Sequence, residues 1–274
     1  MDLVLDFMDP HLFTPYVYPE SWPENYWPRQ LLSLFAIALI GGLALYLGTA
    51  ALAYHFLFDK RVMDHPLFLR NQIRLEIATS MMSAPLMVLP TALMFLLEVR
   101  GLSRLYDGFP SGPSMVLTLG RDLFGFLFFT DMMIYWIHRL LHHRLVYKYL
   151  HKLHHKWKIP TPFASHAFHP VDGFLQSLPY HLYPFLFPLN KVVYLTFFVF
   201  VNMWTVSIHD GYYSVPDNLK YFVNGSAHHT DHHLYYDYNY GQYFTLWDRL
   251  CSSFKDPSAF NGRSLVVEAE NKKK

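Results

Sequence analysis

Residues 31–58 read LLSLFAIALIGGLALYLGTAALAYHFLF, a run of 28 residues without a charge. A bilayer core takes about 20 consecutive apolar residues, so this stretch is long enough to cross one. Ahead of it, residues 1–30 carry Asp2, Asp6, Asp9, Glu20 and Glu24 against a single Arg29. That is the reverse of the basic start of a secretory leader, and no cleaved leader is expected. Beyond it, residues 77–97 form a second uncharged run, with Pro85 and Pro90 as expected kinks. Such prolines are tolerated where neighbouring helices recover the freed carbonyls.

A third run, 114–137, is interrupted by Arg121, Asp122 and Asp131. Residues 173–190 and 192–209 are two more, split only by Lys191. Pro179, Pro184 and Pro188 predict an irregular or broken helix in the first of that pair. The two together read as a hairpin or a re-entrant element. The pattern predicts an all-α integral membrane protein with about four to five transmembrane helices. Residues 1–260 read as one membrane-embedded domain and 261–274 as a polar tail. Composition agrees: of 274 residues 52% are apolar and 16% charged, where an ordinary soluble domain carries about 25% charged residues. A net charge of +1 makes no electrostatic case for nucleic acid. A single cysteine, Cys251, excludes an intramolecular disulfide framework.

Basic residues in short loops set orientation. Lys60, Arg61, Arg70 and Arg74 lie in the 59–74 loop. Arg139, Arg144, Lys148, Lys152, Lys156 and Lys158 lie in the 138–160 loop. Three crossings put both loops on one side, the cytosol, and the hairpin returns residues 210–274 to it. The sequon Asn224-Gly225-Ser226 is therefore expected to stay unmodified. The ending Asn271-Lys272-Lys273-Lys274 resembles a dilysine retrieval signal without its first lysine.

Of 17 histidines, 14 lie between residues 138 and 233. They cluster as His138-Arg139-Leu140-Leu141-His142-His143, His151-Lys152-Leu153-His154-His155 and His228-His229-Thr230-Asp231-His232-His233. On a helix, positions i, i+3 and i+4 share a face, so each cluster is expected to aim its imidazoles at a common point. Imidazole suits iron, zinc, copper or nickel. Three such segments supply eight or more ligands, enough for two metal ions in a cytosolic helical cap. His11, His55 and His65 stand alone and read as packing residues. No paired Glu-x-x-His motif of the soluble di-iron bundles occurs, nor the glutamate base of a zinc hydrolase. Asp131 lies seven residues before His138, on the same helical face. As an intramembrane carboxylate it is a functional candidate, and Asp172, Asp210 and Asp231 are weaker ones.

In order and position, HRLLHH, HKLHH and HHTDHH resemble the three histidine boxes of the fatty acid hydroxylase/sterol desaturase superfamily. The segments 158–181 (KIPTPFASHAFHPVDGFLQSLPYH), 207–216 (SIHDGYYSVP) and 237–250 (DYNYGQYFTLWDRL) are similar to its sterol C5-desaturase branch. So is Leu12-Phe13-Thr14-Pro15-Tyr16-Val17-Tyr18-Pro19. The resemblance implies an endoplasmic-reticulum di-iron oxygenase. It would take O2, and electrons from NADH through cytochrome b5 and its reductase, and convert the Δ7-sterol lathosterol to 7-dehydrocholesterol in cholesterol biosynthesis.

Matched box by box, it implies metal ligands at His138 with His142 or His143, at His151, His154 and His155, and at His229, His232 and His233, with His228 as an alternate. His209 would be a further ligand. Tyr213 stands where some relatives carry another histidine. Asp131 and His169 are the expected catalytic positions, with His166 beside them, and the 174–189 and 192–208 segments the expected sterol walls. Lys148–Lys158 could dock cytochrome b5 or anionic lipid. Hydroxylation of a fatty acid or sphingolipid, or oxidation of a sterol C4-methyl group, would use the same boxes. A histidine-rich metal transporter would need polar ligands at mid-membrane, whereas these clusters sit at or beyond the ends of the spans.

Overall fold

The structure, a computed structural model, describes residues 1–109, 111–211, 216, 218–261 and 265–271. Tyr213 and the closing lysines lie outside the described residues. Five helices form the body: α1 (Trp27–Phe56), α2 (Gln72–Val99), α3 (Pro113–Leu141), α4 (Pro170–Leu186) and α5 (Lys191–Ser207). A sixth, α6 (Ser226–Tyr235), carries the last histidine cluster. The described strands are two residues each, β1 (Leu105–Tyr106) paired in parallel with β2 (Leu189–Asn190).

The ends of α1 and α2 are set by local chemistry. Pro28 occupies the first turn of α1, where its missing N–H costs nothing. Asn71 precedes α2 in the left-handed region, which asparagine tolerates. Both helices are long and apolar enough to cross a membrane. Helices α4 and α5 have 17 residues each, about 25 Å at 1.5 Å per residue, short of a 30 Å core.

The prolines do not break α4 as the sequence suggests. Helix α2 continues through Pro85 and Pro90, and α4 continues through Pro179 and Pro184, ending before Pro188. Packing of α4 against both α2 and α3 outweighs the lost hydrogen bonds.

The helices alternate in direction. At one end, Lys191 bridges Asp2 and Asp107, and the Arg104 amide donates to the Pro184 carbonyl. At the other end Phe58, Val62, Ile159 and Leu265 pack together, bringing the 59–74 loop to the histidine segments. There Leu265–Asn271 is a short helix whose Glu268 carboxylate lies 3.4 Å from His65 Nε2.

Candidate metal centre

Polar side chains of the bundle hold the segment below the cap. The Tyr46 hydroxyl donates to the Phe163 carbonyl at 2.8 Å, Ser83 Oγ to that of Phe168 at 2.6 Å, and Gln72 Nε2 to that of Ile159 at 2.7 Å. Buried carbonyls need such donors. This framework folds residues 151–169 back over the ends of α1 and α2.

The described histidines converge in two groups. One contains His138, His142, His151, His155 and His232; the other contains His154, His209, His229 and His233. Within each, one nitrogen per residue lies within 4.8 Å of all the others. The groups adjoin, with the His155 and His233 ring centres 4.8 Å apart and those of His151 and His154 5.5 Å apart.

The expectation that each cluster aims at one point is therefore corrected. Three pairs four apart stay together, His138 with His142, His151 with His155, and His229 with His233, while His228 parts from His232. His154 and His232 cross to the opposite group. The reason is angular, since i and i+4 differ by about 40° around a helix and i+3 falls on the other side of i. His151 to His155 is not α-helical but a turn leading into the 3₁₀ segment His154–Lys156.

Three rings in the first group are oriented from behind. Nδ1–H of His138 donates to the Tyr240 carbonyl at 2.9 Å, that of His151 to Asp172 Oδ2 at 2.7 Å, and that of His232 to the Tyr238 carbonyl at 2.8 Å. Each Nε2 then carries a lone pair. Yet Nε2 of His138 and His151 stand 3.1 Å apart, too close for two lone pairs without a cation between them. Nε2 of His232 is buried without a partner among the described residues. In the second group, His209 donates from Nδ1 to the Thr205 carbonyl at 2.7 Å, and its Nε2 lies 3.0 Å from that of His229. Two imidazoles sharing an ion at 2.0–2.1 Å stand about 3.0–3.4 Å apart, so this donor set fits a metal ion in each group.

The electrostatics agree. Burial, reinforced by neighbouring imidazoles, pushes the pKa values of His142, His154, His155, His229, His232 and His233 down. Burial also lowers that of His209, to about 3. Neutral rings present lone pairs to a metal.

Other predicted positions lie elsewhere. His143 is exposed, and its Nδ1 accepts from the Leu145 amide at 3.4 Å, outside both groups. His228 is buried, but it points back to the Gly225 amide and packs beside Phe254 and Phe260. His169 is the N-cap of α4, its Nδ1 accepting from the Val171 amide at 3.2 Å, which is a structural role rather than a catalytic contact. Asp131 does not reach His138: its Oδ1 accepts from the amides of Tyr243 and Phe244 at 2.7 and 3.3 Å. It positions the loop whose Tyr240 carbonyl orients His138. Asp231 binds Ser258. Asp172, a weaker candidate by sequence, contacts His151 directly; its place two residues after a histidine-capped helix start was the available signal. The Tyr238 and Tyr240 carbonyls had none, because backbone acceptors leave no mark in sequence. Asn224 is buried, and its Nδ2 donates to the Gly241 carbonyl.

A cavity of about 1350 Å³, open mouth included, runs from the histidines into the bundle. His138, His154, His209 and His229 stand at one end. Tyr180 of α4 and Phe198 and Asn202 of α5 wall it as expected. Leu39 and Leu43 of α1 and Met87 of α2 form the facing wall, which the sequence did not suggest.

The fatty acid hydroxylase family profile matches residues 123–253, a range holding all three clusters. Lathosterol oxidase of Mus musculus is 60% identical over 263 residues, covering 96% of this chain and 88% of that protein. The Homo sapiens lathosterol oxidase is 59% identical over the same shares. A Delta(7)-sterol 5(6)-desaturase of Leptosphaeria maculans is 51% identical over 243 residues, 89% of this chain and 67% of that protein. No solved structure matches. With about 60% identity over nearly the whole length, the chain belongs to the fatty acid hydroxylase/sterol desaturase superfamily and, within it, to the lathosterol oxidase family.

Proposed function

We propose that this protein is an O2-dependent Δ7-sterol 5(6)-desaturase that converts lathosterol to 7-dehydrocholesterol in cholesterol biosynthesis. The observation that carries the reading is the apolar cavity ending on two adjacent groups of buried imidazoles, in a chain of this family. His138, His142, His151, His155 and His232 would hold one iron, and His154, His209, His229 and His233 the other. Bound there, the irons would supply O2 activation strong enough to remove hydrogens from unactivated carbons, with electrons from NADH through cytochrome b5 and its reductase. The chain's own residues do the rest. Asp172 keeps the proton of His151 on Nδ1, and the Tyr238, Tyr240 and Thr205 carbonyls do the same for His232, His138 and His209, so every Nε2 stays free to ligate. Leu39, Leu43, Met87 and Phe198 exclude water from the path of the substrate.

The same reading sets the protein in the endoplasmic-reticulum membrane as one multi-pass domain over residues 1–260, with a tail over 261–274. The clustered histidines and the C-terminus face the cytosol. The gathering of the two basic loops at the histidine end supports it. The test incubates membranes containing the protein with lathosterol, NADH, cytochrome b5 and its reductase under air, with His154→Ala membranes as control. A product two hydrogens lighter, absent from the control, is expected. A product heavier by one oxygen would make the protein a hydroxylase.

A further inference from the structure

We propose that Asn202, held by His166, receives the sterol's 3-hydroxyl and so sets which carbons face the metal centre. The inference rests on the sterol reading above. In a sterol a single methylene separates the hydroxyl-bearing carbon from C5, so the hydroxyl must bind close to where C5 and C6 react. Polar groups at the far end of the cavity, such as His181, are too distant to serve.

Asn202 lies on α5 three residues before Thr205, about 4.5 Å of helix rise from the residue whose carbonyl orients His209. It lines the cavity, as does His166. Its amide is anchored at both ends: Nδ2 donates to the Phe198 carbonyl at 2.7 Å, and Oδ1 accepts from His166 Nε2 at 3.1 Å. The first bond identifies which amide atom is nitrogen. The second makes Nε2 of His166 the protonated one. An amide oxygen accepts two hydrogen bonds and an amide nitrogen donates two. One acceptor site and one N–H of Asn202 are therefore left over. A hydroxyl, which both donates and accepts, uses both.

Other polar groups of the cavity fit less well. The Tyr46 hydroxyl spends its proton on Phe163, Ser83 on Phe168, and Thr205 on Val201. Gln176 has spare capacity, but it is held only through Nε2, on Asp172 at 2.8 Å, so its oxygen can turn. A group fixed at both ends spends less ordering entropy on the ligand.

The test measures equilibrium binding of lathosterol and of its 3-deoxy analogue to the full-length, metal-loaded protein, without O2 or reductant so that no turnover occurs. The unmodified protein should bind lathosterol about tenfold more tightly, a difference of about 1.4 kcal/mol. Asn202→Leu should bring the ratio near one by weakening lathosterol alone. Unchanged binding of the 3-deoxy sterol reports an intact cavity. If Asn202→Leu does not fold, His166→Phe, which keeps a ring there but removes the donor that orients Oδ1, should lower the same ratio. An unchanged ratio in the variant that folds overturns the proposal. So does a ratio near one in the unmodified protein, or a ratio abolished by Gln176→Leu instead. Turnover of lathosterol by the unmodified enzyme to a product two hydrogens lighter separates the two claims. Desaturation with an unchanged ratio sinks only the hydroxyl site, whereas no desaturation and no binding sinks the sterol reading with it.

Discussion

The group of His138, His142, His151, His155 and His232 is braced from behind, whereas that of His154, His209, His229 and His233 opens onto the cavity. In the first, a buried carboxylate and two backbone carbonyls take the far nitrogens of His151, His138 and His232. In the second, among the described residues, only His209 has such a partner, and Nδ1 of His154, His229 and His233 is buried without one. Three residues of the second group line the cavity, against His138 alone from the first. On the outer side, the Tyr147 and Tyr236 rings cover the first group, 5.5 Å from His142 and 4.9 Å from His155. One group is thus shaped for rigidity and the other for access, and substitutions in the two should fail differently.

The largest expected effect comes from His154→Ala, which removes one of four ligands on the cavity side. Turnover should fall below detection while the iron content of the purified protein drops by about half. Equal loss of both irons would break the distinction between the groups. Next is Asp172→Asn, which leaves His151 without its anionic acceptor. Metal affinity of the braced group should fall about 10- to 100-fold, the usual effect of removing such a partner, with the other group retained. Titration with a chelator, followed by metal analysis, reads both at once.

Asp131→Ala should act through structure. Two buried amides of the 243–244 loop lose their acceptor, which costs about 1–3 kcal/mol. A lowered unfolding midpoint is expected, with weaker binding of the His138 iron and little change at His154. His169→Ala removes the cap of the helix that carries Asp172 and should cost about 1 kcal/mol of stability. Loss of turnover without loss of stability would return His169 to the catalytic positions. Smallest is His143→Ala, on an exposed side chain, expected within about 0.5 kcal/mol and with iron content and turnover unchanged.

These expectations follow from contacts that differ in how visible they are along the chain. The membrane-length helices α1 and α2 are legible because hydrocarbon demands an uninterrupted apolar run. The metal-binding character of 138–233 is legible because only histidine supplies so many neutral nitrogen ligands at helical spacing. The prolines of α4 misled because helix breaking is a local cost, and packing on two sides repaid it. Asp131 misled for a related reason. Helical spacing put it on the face of His138, but a side chain two turns away meets whatever loop the fold lays across it, here Tyr243 and Phe244.

By itself, then, the sequence determined which segments can enter a membrane and that 138–233 can bind metal, since both follow from residue chemistry. Only the tertiary structure decided how three clusters divide into two groups, that Asp172 rather than Asp131 touches a clustered histidine, and that α1 and α2 wall the cavity with α5. Those outcomes depend on backbone carbonyls and on surfaces brought together from distant parts of the chain, and neither leaves a pattern at any fixed spacing.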